Sequence, residues 1–160
     1  MKTFTIHQLE KELRTRGPKE VLDICIRLAK HKKENKELLS YLLFGGNDEK
    51  EYIAEVKEKI DSLMAEINRK TTYTTKKGLQ KVVRNMTKFI KYSKSKETEL
   101  EIRIYFCMQI KSARIRLDSS TVINNLFYRE VDKIRDLYAK LHEDLQLDYR
   151  ADVEKLGIEL

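Results

Sequence analysis

Apolar side chains recur along this chain every three or four positions, the spacing of one face of an α-helix. Ile6, Leu9 and Leu13 mark a first helix. Gly17-Pro18 ends it and opens a second, with Gly as C-terminal cap and Pro at a first helical position. Val21, Leu22, Ile24, Cys25, Ile26 and Leu28 spread over a wide arc, which predicts burial of the second helix on more than one side. Asn35 is placed to cap a third, short helix carrying Leu38, Leu39, Leu42, Leu43 and Phe44. Gly45-Gly46 is a strong stop; it lacks the frame of a phosphate-binding loop and reads as a helix–helix turn.

Asp48 with Glu51 opens a fourth helix in the manner of a capping box. Tyr52, Ile53, Val56, Ile60, Leu63, Met64 and Ile67 give it about five turns. Thr71 to Thr75 read as a turn, because hydroxyl and β-branched side chains favour helix ends. A fifth helix follows from near Lys76 to about Ser93. Glu97, Glu99 and Glu101 then suit the N-terminus of a sixth, where the helix dipole favours anions. From Leu100 to Leu117 apolar residues alternate with period two, a strand signal. The segment is long for a strand and has no hairpin partner, and Tyr105 and Cys107 fill the alternate positions. A central helix buried nearly all round fits better. Asp118 to Thr121 caps a seventh helix, whose face runs from Val122 through Phe127, Val131, Ile134, Leu137 and Leu141 to Leu145. A polar tail from Tyr149 has room for one more turn.

The expected fold is all-α, with six to seven helices in one domain spanning 1–160. Short turns make successive helices antiparallel, in an up-and-down bundle or a short α-solenoid of helical hairpins. The helix starts are about evenly spaced, but no motif repeats at that period.

Charge changes the picture in one place. The chain carries a net +7. Ten Lys or Arg fall between Arg69 and Lys96 with no Asp or Glu, so the other 132 residues sum to −3. Lys77, Lys81, Arg84, Lys88 and Lys91 are spaced 4, 3, 4 and 3 apart. On a helix they occupy an arc of roughly 80°, a ridge about 20 Å long. Leu79, Val82, Val83, Met86 and Ile90 lie on the opposite side. Like charges at such spacings repel, and no interleaved glutamate relieves them as Glu55 and Glu58 do among Lys57 and Lys59. One expectation is a solvated face, or a ridge neutralised by Glu97, Glu99 and Glu101. The sharper one is a surface for polyanions, since cation–phosphate contacts need no motif. Tyr73 and Tyr92, at the two ends, are candidates for stacking on bases. An acidic protein is the other partner such a ridge would suit.

Other chemistry is thin. His142, Glu143 and Asp144, followed by Asp148 and Asp152, form the one cluster resembling a metal or acid–base site. No second histidine is in range, and His142 points away from the face shared by the aspartates, so an exposed acidic helix end is expected. No catalytic constellation, cofactor motif or metal-ligand spacing is present. Cys25 and Cys107 sit in apolar runs and read as reduced, buried thiols, which suits a cytoplasmic protein. The N-terminal residues lead into a polar amphipathic stretch without a signal core, and no apolar run is long enough for a membrane span.

Leu38-Leu39-Ser40-Tyr41-Leu42-Leu43-Phe44, the Tyr73, Lys76-Lys77 and Arg84 stretch, and Leu141-His142-Glu143-Asp144-Leu145-Gln146-Leu147-Asp148-Tyr149 resemble an uncharacterised family of small all-helical bacterial proteins. The resemblance covers most of the chain. It implies an all-helical cytoplasmic protein and no activity, ligand or site residue. The leading expectation is a non-catalytic helical module that meets a polyanion, nucleic acid, through Lys77 to Lys91. The alternative is a helical protein–protein scaffold or small homo-oligomer.

Overall fold

The computed structural model describes residues 2–158; residues 1, 159 and 160, the ends of the span read as one domain, lie outside it. Among the described residues the chain is all-α, with eight α-helices, two short 3-10 turns and no strand. It divides into two compact units, Met1–Phe44 and Gly45–Leu160, where length suggested one domain.

The first unit holds α1 (Ile6–Arg14), α2 (Pro18–His31) and α3 (Lys33–Leu43). Thr5 caps α1: its hydroxyl accepts from the Gln8 amide at 3.3 Å, and the Gln8 side chain accepts from the Thr5 amide at 3.0 Å. Gly17 is the N-cap of α2 rather than the C-cap of α1, whose C-cap is Thr15. The Glu20 carboxylate accepts from the Gly17 amide at 3.1 Å, which Pro18 at the first helical position leaves in place. Asn35 does not cap α3. It lies within that helix and its amide donates to the Leu28 carbonyl at 2.8 Å, near the end of α2. Nor is α2 buried on several sides, for none of α1, α2 or α3 has a buried residue. Cys25, Leu28, Leu38, Leu39 and Leu42 line an open apolar groove where α2 meets α3.

The second unit begins with a 3-10 turn at Gly45–Asn47 and holds α4 (Glu49–Ala65), α5 (Thr72–Ser93), α6 (Lys96–Ser112), α7 (Thr121–Tyr138) and α8 (Glu143–Lys155). Asp48 caps α4 by accepting from the Glu51 amide at 3.0 Å. The α4 helix lies against α5 and α6, α6 lies against α7, and α8 follows on α7. The α6 helix is the centre: Leu100, Ile102, Phe106, Cys107 and Ile110 are fully enclosed. Contacts with α4, α5 and α7 explain the apolar run that mimicked a strand. It ends at Ser112, short of Leu117, because Arg114 turns left-handed (φ 51°) and Ile115 donates back to the Ile110 carbonyl at 3.3 Å.

The seventh predicted helix is two. After Tyr138 the chain breaks, and His142 becomes the N-cap of α8, with Glu143 and Asp144 in its first turn. The Gln146 side chain donates to the Tyr138 and Leu141 carbonyls at 3.1 and 3.0 Å, and the Tyr138 hydroxyl donates to the Gln146 carbonyl at 2.9 Å. The bond to Tyr138 satisfies a carbonyl that the end of α7 leaves bare. No helix among the described residues is long and apolar enough to cross a membrane.

Candidate nucleic-acid interface

The α5 helix starts a turn earlier than Lys76. Thr71 is its cap, accepting from the Thr74 amide at 3.2 Å, so four of the five residues read as a turn are helical. The Thr75 hydroxyl, buried, donates to the Thr71 carbonyl at 2.9 Å. Leu79, Val82, Met86 and Ile90 are buried. Close approach is secured at Gly78: a Cβ there would sit 2.8 Å from two carbons of Ile67.

On the other side Lys77, Lys81, Arg84 and Lys91 are exposed. Lys88 is half-buried, its Nζ 4.6 Å from the Phe89 ring centroid. Fourteen residues separate the first cation from the last, about 21 Å of helix. Lys81 pairs with Glu66 at 2.8 Å, and its hydrogen bond and charge hold the Glu66 carboxyl below the usual range. A solvated pair of this kind contributes little and yields to salt. Arg84 and Lys91 have no ion pair among the described residues.

The three glutamates that could have neutralised the ridge are engaged elsewhere. Glu101 takes Lys57 of α4 at 2.6 Å and the Tyr149 hydroxyl of α8 at 2.9 Å. Glu97 accepts from the same hydroxyl at 3.4 Å. Glu99 takes two nitrogens of Arg103 at 2.8 and 2.6 Å. Burial, then the Glu101 and Glu97 carboxylates, push the Tyr149 phenol above the usual range.

The two tyrosines part company. Tyr73 is 57% exposed at the start of α5, with Lys77 Nζ 4.6 Å and Lys76 Nζ 5.3 Å from its ring centroid. Hydrogen bonding to Lys77, then the charge of that ammonium, hold its hydroxyl below the usual phenol range. Tyr92 is 9% exposed and packs edge-on against Phe89. Its ring belongs to the core and is not open to a base, a correction to its place among the candidates. The five cations share one face; Tyr73 stands at the end of it.

No family model, curated protein or solved structure matches the chain.

What the ridge can do follows from its own chemistry: it presents fixed positive charge along a rigid line. Elsewhere, His142 is spent as a cap, accepting from the Asp144 amide at 3.4 Å. Asp152 pairs with Lys155 at 2.8 Å. Among the described residues no group of three His, Cys, Asp or Glu side chains is placed to hold a metal ion. Cys107 is fully buried, and burial, then the charge of Glu130, push its thiol up to about 12. Cys25 is half-buried rather than enclosed.

Sequence reasoning missed the polar centre that holds the scaffold of the ridge. Arg103 and Glu130, 4% and 2% exposed, form an ion pair between α6 and α7. Glu99 holds the rest of the guanidinium, and Lys133 donates to Glu130 at 2.8 Å. The signal was available: Glu130 falls on the face of Phe127, Val131 and Ile134, and Arg103 sits between Ile102 and Ile104.

Proposed function

We propose that this chain is a non-catalytic helical module that binds a polyanion, nucleic acid, along the α5 ridge. The observation that carries the reading is the ridge itself: four of its five cations are exposed, and Glu97, Glu99 and Glu101 are bonded elsewhere. Phosphate contact by Lys and Arg releases counterions and needs no pocket. The contacts of α4 with α5 and α6, and of α7 with α5 and α6, support reading the second unit as two stacked helical hairpins, a short solenoid. Two free thiols support a cytoplasmic location, and membership of the small bacterial family it resembles goes with the same reading.

Fluorescence polarisation with labelled oligonucleotides at two salt levels tests it. Phosphate contacts by the four exposed cations give a log–log salt slope of about −4 on a duplex. Absence of binding at low salt overturns the proposal.

A scaffold or homo-oligomer is the second reading. It is favoured by the first unit, where Ile6, Leu42 and Phe44 are 81%, 63% and 76% exposed. Light scattering across a concentration series decides it: a constant monomer mass removes self-association.

A further inference from the structure

Resting on the reading of α5 as a phosphate-binding ridge, we infer that its ligand is a nucleic-acid duplex rather than a single strand. Proteins that hold single strands add aromatic platforms to their cations, and each stacked base contributes about 1–3 kcal/mol. The α5 helix has three aromatic residues, Tyr73, Phe89 and Tyr92. Tyr92 is in the core, edge-on to Phe89 with centroids 6.0 Å apart. Phe89 is half-buried beneath the Lys88 ammonium. Only Tyr73 is open, at one end, and Lys77 and Lys76 lean over its ring. On α5 no two rings are placed to take successive bases.

What the ridge does supply favours a duplex. A duplex carries a charge every 1.7 Å or so of its axis, a strand one every 3.4 Å or so. Over about 21 Å of ridge that is roughly twelve phosphates against six. A duplex is also stiff on this scale, so a straight helix meets it without ordering it. A flexible strand loses conformational freedom on the ridge, with a single open ring, Tyr73, to set against the loss.

The test uses the full chain and four probes of about 20 nucleotides per strand: DNA duplex, RNA duplex, and a non-self-pairing strand of each. At low salt, either duplex should bind at least about fivefold tighter than its strand. Lys77→Gln, Arg84→Gln and Lys91→Gln together should weaken duplex binding about tenfold or more. Tyr73→Ala should change every affinity by less than about twofold. Strands that bind as tightly as duplexes, or a loss on Tyr73→Ala confined to strands, would overturn the duplex inference and leave the phosphate ridge standing. No binding to any of the four probes overturns both.

Discussion

Residues 2–44 and residues 45–158 are built alike, from amphipathic helices joined by short turns, and only the second set encloses a core. The helices of the first unit have 9, 14 and 11 residues, and its apolar side chains line open grooves. In the second unit α6 is covered by α4, α5 and α7, which buries side chains all round it. Few short helices leave too much surface for their volume. The difference also governs where charge can work. Salt bridges of the first unit, such as Arg14–Glu10 and Arg16–Glu12, are solvated neighbours on one helix turn. Those of the second unit include a buried pair that ties two helices together. A rigid core behind α5 keeps its cations in line; the first unit has cations too, but no such backing.

The largest expected effect comes from that buried pair. Glu130→Leu leaves the Arg103 guanidinium short of a partner in the core and should cost about 3 kcal/mol in urea denaturation. Adding Arg103→Met should recover most of it. A loss below about 1 kcal/mol would mean that the pair does not hold the second unit together. No substitution of an ion pair in the first unit should approach this effect, because all the pairs observed there are exposed on at least one side.

Next comes Gly78→Ala. On a solvated helix this change gains about 1 kcal/mol. Here the new methyl meets Ile67 at 2.8 Å, so the sign should reverse, to a loss of about 1–3 kcal/mol. Ile67→Ala in the same chain should relieve part of that loss. A gain in stability would show that α5 does not lie this close to the segment after α4.

The cysteines compare the units directly. At pH 8, a thiol reagent should label half-buried Cys25 at least about a hundredfold faster than Cys107. Equal rates would contradict the closed core around α6. Cys107 and Tyr105 are both held protonated in the fold, each pushed up to about 12, chiefly by burial. Both pKa values lie above the unfolded ones, so their contribution is whole below pH 9 and is lost as the pH climbs toward 12. Tyr105→Phe should flatten part of that alkaline decline.

The α5 helix was readable because its two faces are chemically distinct over 22 residues: hydrophobic spacing and charge spacing agree. Its N-terminus lies a turn before the position that spacing predicts, since Thr72 to Thr75 have poor helix propensity and are recruited by the Thr71 cap. The break between α7 and α8 was hidden. Leu137, Leu141 and Leu145 keep a four-residue spacing straight through it, while the bonds that end the helix come from Gln146 and Tyr138. Tyr92 was legible as a helix-end aromatic, but its burial depends on Phe89 and the tertiary packing. The failure of α2 to bury its wide apolar arc was not legible either, because periodicity tells what a helix could cover and not whether a neighbour is there.

The ridge is best tested against the other unit's own cations. Lys77→Glu, Arg84→Glu and Lys91→Glu would be made together in one chain, and Lys11→Glu, Lys19→Glu and Lys36→Glu together in another. The net charge changes equally, and all six residues are exposed. Binding of a labelled DNA duplex at low salt is then measured by polarisation. The α5 variant should lose at least about a hundredfold and the first-unit variant less than about threefold. Equal losses in the two variants would contradict the account, because binding would then follow overall charge and not the line of cations on α5.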